Sequence, residues 1–154
     1  MSLASVRDAL ARHAPDLEVM ELDQSTATVQ LAAEALNVLP GQIAKTLSLQ
    51  VGDGVIVLVT RGDARLDNAK YKARFGTKAR MLDVAQVEAC TGHPVGGVTP
   101  FGLAQDLPVY CDVSLKDFPE VFPAGGAPNA AIRITPTRLA DLTRAEWVDV
   151  TKLG

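Results

Sequence analysis

The sequence predicts an α+β domain on a mixed, mostly antiparallel sheet. Two apolar runs, 43–51 and 55–60, are joined by Gly52-Asp53-Gly54, which reads as a hairpin. Short segments with helix caps are scattered around that hairpin. Further short β-like runs follow late in the chain, which favours a mixed sheet with helices packed around it.

In chain order, residues 1–15 have helical periodicity, and 5–13 read as the first helix. Residues 17–22 alternate as a strand. Thr28 can cap a helix through Ala32, Ala33, Ala35 and Leu36 that stops near Asn37, and Leu39-Pro40-Gly41 breaks the pattern. After the hairpin, Asp67 can cap a helix to about Phe75. Residues 80–82 form a short strand, and Asp83 caps a helix to about Cys90, with Gly92 as its stop. Residues 109–112 and 130–135 are strands. Thr135-Pro136 opens a last helix, with proline in the first turn, and 147–150 closes the chain as a strand.

A chain of 154 residues, 47% hydrophobic and 21% charged, suits one domain spanning 1–154 with one core. No apolar run reaches the roughly 20 residues of a membrane span. The N-terminus, with Arg7, Asp8 and Arg12 inside its periodic stretch, lacks the apolar block of a signal peptide. The expected location is the cytoplasm, with no membrane partner. Cys90 and Cys111, without zinc-ligand spacing, read as small buried residues, and His13 and His93 are far apart in the chain. No metal site and no cofactor are expected.

Net charge is −3, but residues 61–80 carry seven basic side chains against Asp63 and Asp67. That window is +5, which leaves −8 on the other 134 residues. It reads as a solvated helix face or as a patch that steers a phosphate-bearing partner.

Lys45 shares a strand face with Ile43, Leu47, Leu49 and Val51. Periodicity leaves two readings open: the stem snorkels to water, or the ammonium meets an anion in a cleft. Residues 92–102 hold four glycines and two prolines, which suits a ligand loop whose backbone N–H groups face an anion or a developing oxyanion. An ordinary surface loop is the alternative. Residues 122–129 form a second Gly/Pro loop. The chain has no GxxxxGK[ST], GxSxG or HExxH, so catalysis would lean on backbone dipoles, a lysine and the substrate.

At these residues the chain resembles the YbaK-type aminoacyl-tRNA deacylases, relatives of the editing domain inserted in bacterial prolyl-tRNA synthetases. The resemblance runs over about 17–150. It rests on Ile43-Ala44-Lys45-Thr46-Leu47, on Thr91-Gly92 through Pro100-Phe101-Gly102 with its GxxxP loop from Gly96 to Pro100, and on Ala124-Gly125-Gly126. It implies a barrel-like sheet surrounded by helices. The implied activity is hydrolysis of the ester between an amino acid and the terminal ribose of mischarged tRNA, with no side-chain nucleophile. It places Lys45, Gly96, Gly97, Thr99, Pro100 and Gly126 at the reaction centre. Met20, Thr26, Val98, Phe101, Gly125 and Asn129 are expected around the substrate. Arg61, Lys70, Lys72 and Arg74 are expected against tRNA. The implied partners are the 3′ end of aminoacyl-tRNA and a synthetase, not DNA. The branch that deacylates Cys-tRNA(Pro) usually has Ser before the late glycine pair, Lys-Arg after it, an Asp further on and a Tyr in the first strand. Here Ala124, Ala127-Pro128, Ala131 and Met20 stand there, which leaves the amino acid open. The other reading is a non-catalytic tRNA- or nucleotide-binding, or synthetase-associated, module of the same fold.

Overall fold

The computed structural model describes residues 2–153; Met1, where the N-terminal periodicity begins, and Gly154 lie outside the described residues. The Gly52-Asp53 turn produces the expected hairpin: β2 (Ile43–Val51) pairs antiparallel with β3 (Gly54–Arg61) over eight registered positions, from Ala44↔Arg61 to Val51↔Gly54. The other strands are β1 (Val19–Glu21), β4 (Arg65–Leu66), β5 (Val109–Asp112), β6 (Phe122–Pro123), β7 (Ala130–Ile132), β8 (Glu146–Val148) and β9 (Thr151–Lys152). A five-stranded sheet runs β6-β2-β3-β5-β8, with β6, β5 and β8 added in parallel at either side of the hairpin. Two antiparallel ladders, β1–β7 and β4–β9, extend it, and the assembly curls into a half-barrel. Most paired residues sit in antiparallel register, as the sequence predicts.

Among the described residues five α-helices surround the sheet: α1 (Ser2–His13), α2 (Val29–Leu36), α3 (Asn68–Phe75), α4 (Val84–Thr91) and α5 (Pro136–Thr143). The four caps read from sequence are made. Thr28, Asp67, Asp83 and Thr135 each accept from the backbone N–H three residues on. Asn37, Gly76 and Gly92 end their helices in the left-handed conformation, where glycine and asparagine are least strained.

Strand β3 is covered on both faces. Val57 and Val59 face a core with Val6 and Leu10 of α1, Leu139 and Ala140 of α5, Val109, Cys111 and Ile132. Ile56 and Leu58 face Leu49, Tyr71 of α3, Val148 and Val150. Alternation along one strand therefore serves two cores. Ala32 and Ala33 of α2 form a third, smaller cluster with Ile43.

Some boundaries differ from expectation. The first helix begins at Ser2 rather than residue 5, and the first strand shrinks to three residues. Residues 80–82 contribute one bridge, Leu49↔Met81, instead of a strand. The strand expected to 135 ends at Ile132, the closing strand expected over 147–150 is β8 and stops at Val148, and β9 (Thr151–Lys152) follows beyond the expected range. Strands β4, β6 and β9 have two residues each and exist only because distant partners pair with them.

Asp112, fully buried at the end of β5, joins three segments. Its carboxylate accepts from the Ser114 N–H at 3.0 Å, the Val150 N–H at 2.8 Å and the Thr151 hydroxyl at 2.6 Å. In Asp112→Ala the Val150 and Thr151 donors stay buried without an acceptor. Each costs about 1–3 kcal/mol, so urea unfolding should show a loss of about 3 kcal/mol or more. A loss below ~1 kcal/mol would show that these donors find other acceptors.

Candidate active site

Several stretches of chain line a cavity of about 210 Å³. Strand β2 supplies Lys45, Thr46 and Ser48. Helix α2 and its lead-in supply Thr26, Ala27, Thr28, Val29, Ala32 and Leu36. The glycine loop supplies Val95, Gly96 and Val98, and the floor is closed by Phe122, Ala124, Ala130 and Ala131. The wall is mostly aliphatic, and Lys45 is its one charged residue.

Lys45 is half-buried opposite Thr60, and its ammonium donates to the Ala64 carbonyl at 2.5 Å. Burial pulls its pKa below the usual lysine value, while the Asp63 carboxylate opposes that shift. Asp63 is itself held by Arg61, at 2.6 Å and 3.0 Å, and its pKa lies below the usual carboxylate value chiefly for that reason. The lysine thus borders the cavity, with its ammonium held against a backbone carbonyl near Asp63.

The glycine loop owes its path to close backbone approaches. A Cβ at Gly96 (φ +92°) would meet the Ala27 Cβ at 3.0 Å. A Cβ at Gly97 would meet backbone atoms of Ala127 at 2.8–3.0 Å. The loop is therefore wedged between residues 26–28 and the late glycine loop. That second loop is a tight hairpin. The Gly125 N–H donates to Ala130 O at 2.9 Å, Gly126 has φ +95°, and the Thr26 N–H donates to Pro128 O at 2.6 Å.

The other expected site residues fall into distinct places. The Gly97 N–H is engaged inside its own loop, donating to Pro94 O at 2.9 Å. Thr99 is fully buried, and among the described residues its hydroxyl has no hydrogen-bond partner. Pro100 and Phe101 line a second cavity of about 410 Å³ between α1, α5 and residues 100–107. Met20 pairs with Ala131 in the β1–β7 ladder, and the Asn129 side chain donates to Leu22 O at 3.2 Å. Among the basic residues, Arg61 bridges Asp63 and Asp117, Lys70 contacts Asp149, and Arg74 contacts Glu146. Lys72 is exposed. These ion pairs return part of the +5 window to neutrality.

Sequence reasoning did not single out Val29, Leu36 and Phe122 as cavity walls, because only tertiary pairing brings them to β2. It also passed over His93, which is fully buried. Cys111 is no thiolate: burial, then Asp112, pushes its pKa up to about 12.

Residues 23–142 match the family model described as the aminoacyl-tRNA editing domain. The chain belongs to that family. It is 49% identical over 154 residues to the uncharacterized protein YwhH of Bacillus subtilis, covering 99% of this chain and 98% of YwhH. It is 30% identical over 127 residues to EbsC of Enterococcus faecalis, covering 80% and 77% of the two chains; EbsC is named as a candidate Cys-tRNA(Pro)/Cys-tRNA(Cys) deacylase. A crystal structure described as that of a candidate trans-editing enzyme for prolyl tRNA synthetase superposes on the editing domain with a TM-score of 0.90 at 37% identity. The match covers 98% of this chain and 97% of the other.

Gly97→Ala tests the loop contact directly. The added methyl must push the two glycine loops apart, an overpacking cost of about 1–3 kcal/mol. Thermal unfolding should register it, with faster amide exchange at Ala127 and little change at Tyr71. Unchanged exchange at Ala127 would mean the loops do not bear on each other.

Proposed function

We propose that this editing domain is a free-standing hydrolase that cleaves the ester between an amino acid and the terminal ribose of mischarged tRNA. The observation that carries the proposal is the aliphatic cavity bordered by the buried-stem Lys45 on one side and by the Gly96–Val98 backbone on the other. A small acyl group fits such a space, and a lysine beside it suits the phosphate or the polarised carbonyl at a tRNA 3′ end.

In this reading the amino-acid side chain enters between α2 and β2, and the ester carbonyl lies against the glycine loop. Water adds to the carbonyl carbon, and the tetrahedral intermediate expels the ribose oxygen, which takes up a proton. Backbone dipoles of the loop stabilise the oxyanion, with one well-placed donor contributing roughly 3–4 kcal/mol. The donor is not the Gly97 N–H, which Pro94 O already occupies. Lys45 exchanges its contact with Ala64 O for one with the substrate. Lys72 and the exposed part of the 61–80 window give salt-dependent attraction to tRNA phosphates.

A panel of tRNAs mischarged with Ala, Ser, Thr and Cys measures the activity, with deacylation of at least one expected. Binding of these tRNAs without deacylation would favour the non-catalytic module. Lys45→Met keeps the apolar stem and removes the charge. It should lower kcat/KM by at least ~10-fold, about 1.4 kcal/mol of transition-state stabilisation. Full activity in this variant removes the lysine from the mechanism.

The pH dependence gives a second check. Asp63 raises the Lys45 pKa, so in Asp63→Asn the ammonium loses its proton at a lower pH. The alkaline limb of the deacylation profile should then move to lower pH. A shift upward, or none, contradicts a charged Lys45 in the reaction.

A further inference from the structure

Beneath the two glycine loops lies a group of contacts that the proposed chemistry does not use. Ser2 and Ser5, in the first turn of α1, meet the loops at their backbones. The Ser2 hydroxyl lies 2.5 Å from Gly126 O and 2.5 Å from the His93 Nδ1. The Ser5 hydroxyl lies 3.1 Å from Gly102 O and 2.8 Å from Ser2 O. The His93 Nε2 lies 2.8 Å from Phe101 O. Both loops come this close to the helix because they present glycine. A Cβ at Gly102 would meet Ser5 and Val6 backbone at 2.7–2.8 Å, and one at Gly126 would meet Ser2 O at 2.9 Å.

We infer that this first turn of α1 is a brace that sets the spacing of the two glycine loops, with His93 as the positioning residue that joins them. The inference rests on the deacylase reading for its effect on turnover, but the brace itself is read from contacts alone.

Hydrogen counting makes the brace responsive. Phe101 O can only accept, so Nε2 carries a hydrogen. In the neutral imidazole Nδ1 is then a lone pair. The single Ser2 hydroxyl hydrogen faces two acceptors, Nδ1 and Gly126 O, and can fill only one at a time. Adding a proton at Nδ1 completes the set: Nδ1–H donates to the Ser2 oxygen, and the Ser2 hydrogen goes to Gly126 O. The neutral ring therefore holds the late loop loosely and the protonated ring holds it firmly.

Among the described residues no charged side chain meets the ring. The ring nitrogens meet Ser2 of α1 and the Phe101 carbonyl of the loop, while the hydroxyl of Thr91 in α4 accepts from the His93 backbone N–H at 3.1 Å. Arg7, Asp8, Arg12 and His13 of α1 and Glu88 of α4 are exposed, and Cys90 is half-buried. Burial pulls the His93 pKa below its ordinary value, and the Phe101 carbonyl opposes that shift. The change in the brace accordingly falls below the usual histidine range.

The test needs no variant at its first stage. Ring ¹⁵N shifts of wild-type protein should show the Nε2–H tautomer at neutral pH. The amide signals of Ala127 and Gly102, which follow the Gly126 and Phe101 carbonyls, should titrate with the His93 midpoint. In Ser2→Ala, Ala127 should lose that titration while Gly102 keeps it, and kcat should fall by about 10-fold with KM less affected. An Nδ1–H tautomer, or an Ala127 amide indifferent to His93, overturns the brace. Coupled amides with a wild-type kcat in Ser2→Ala overturn the positioning role. A wild-type protein that deacylates no tRNA in the panel defeats the functional reading, and the amide titration still decides the brace.

Discussion

The antiparallel ladder between β2 and β3 is the constraint on which the rest of the molecule depends. It fills the middle of the sheet, so β6 and β5 are placed by it and β8 by β5 in turn. Its register decides which residues of β3 enter which core. A slip of one position would exchange Val57 and Val59 with Ile56 and Leu58 and turn Lys45 away from Ala64. The same register holds the lysine beside the cavity that α2 and the loops close. Placing a lysine there is unfavourable by itself, as its lowered pKa records. The strand tolerates it because eight paired positions and two cores hold the backbone in place.

The loops around the cavity are placed by close backbone approaches. Gly96, Gly97, Gly102, Gly125 and Gly126 each sit where a Cβ would meet a neighbouring segment at 3.0 Å or less. Such contacts fix carbonyl and amide directions by steric fit. They also make the site dependent on segments far away in the chain, since Ser2, Ala27 and Ala127 are the surfaces against which those glycines rest.

The legible parts of the sequence were those with local causes. Thr28, Asp67, Asp83 and Thr135 announce helices because a side-chain oxygen three residues before an N–H makes a bond within one turn. Gly52-Asp53 announces the hairpin for a similarly local reason. The two-residue strands were illegible, since nothing in Arg65-Leu66 or Thr151-Lys152 marks them until they meet. At the site, alternation put Lys45 on an apolar face, and the resemblance pointed to both glycine loops. Neither could show that the Gly97 N–H is occupied, that Arg61, Lys70 and Arg74 already have acidic neighbours, or that His93 is buried under the loops. The Gly97 bond to Pro94 O depends on how the loop is folded back on itself, and the Lys70, Arg74 and His93 contacts join residues more than seventy positions apart.

Helix α2 stands apart from the rest in one respect. Its buried alanines join only the small cluster around Ile43, while its Val29, Ala32 and Leu36 face the cavity. It is eight residues long and carries its own cap at Thr28 and its own stop at Asn37. The two larger cores therefore do not register what those three positions hold. Selection acting on a duplicated copy of this chain can enlarge or narrow the cavity at α2 while the folding determinants in β2 and β3 stay untouched. A change of size at Val29 or Leu36 therefore reshapes the cavity at the cost of the small cluster around Ile43 alone, and leaves the packing of β3 on α1, α3 and α5 as it is.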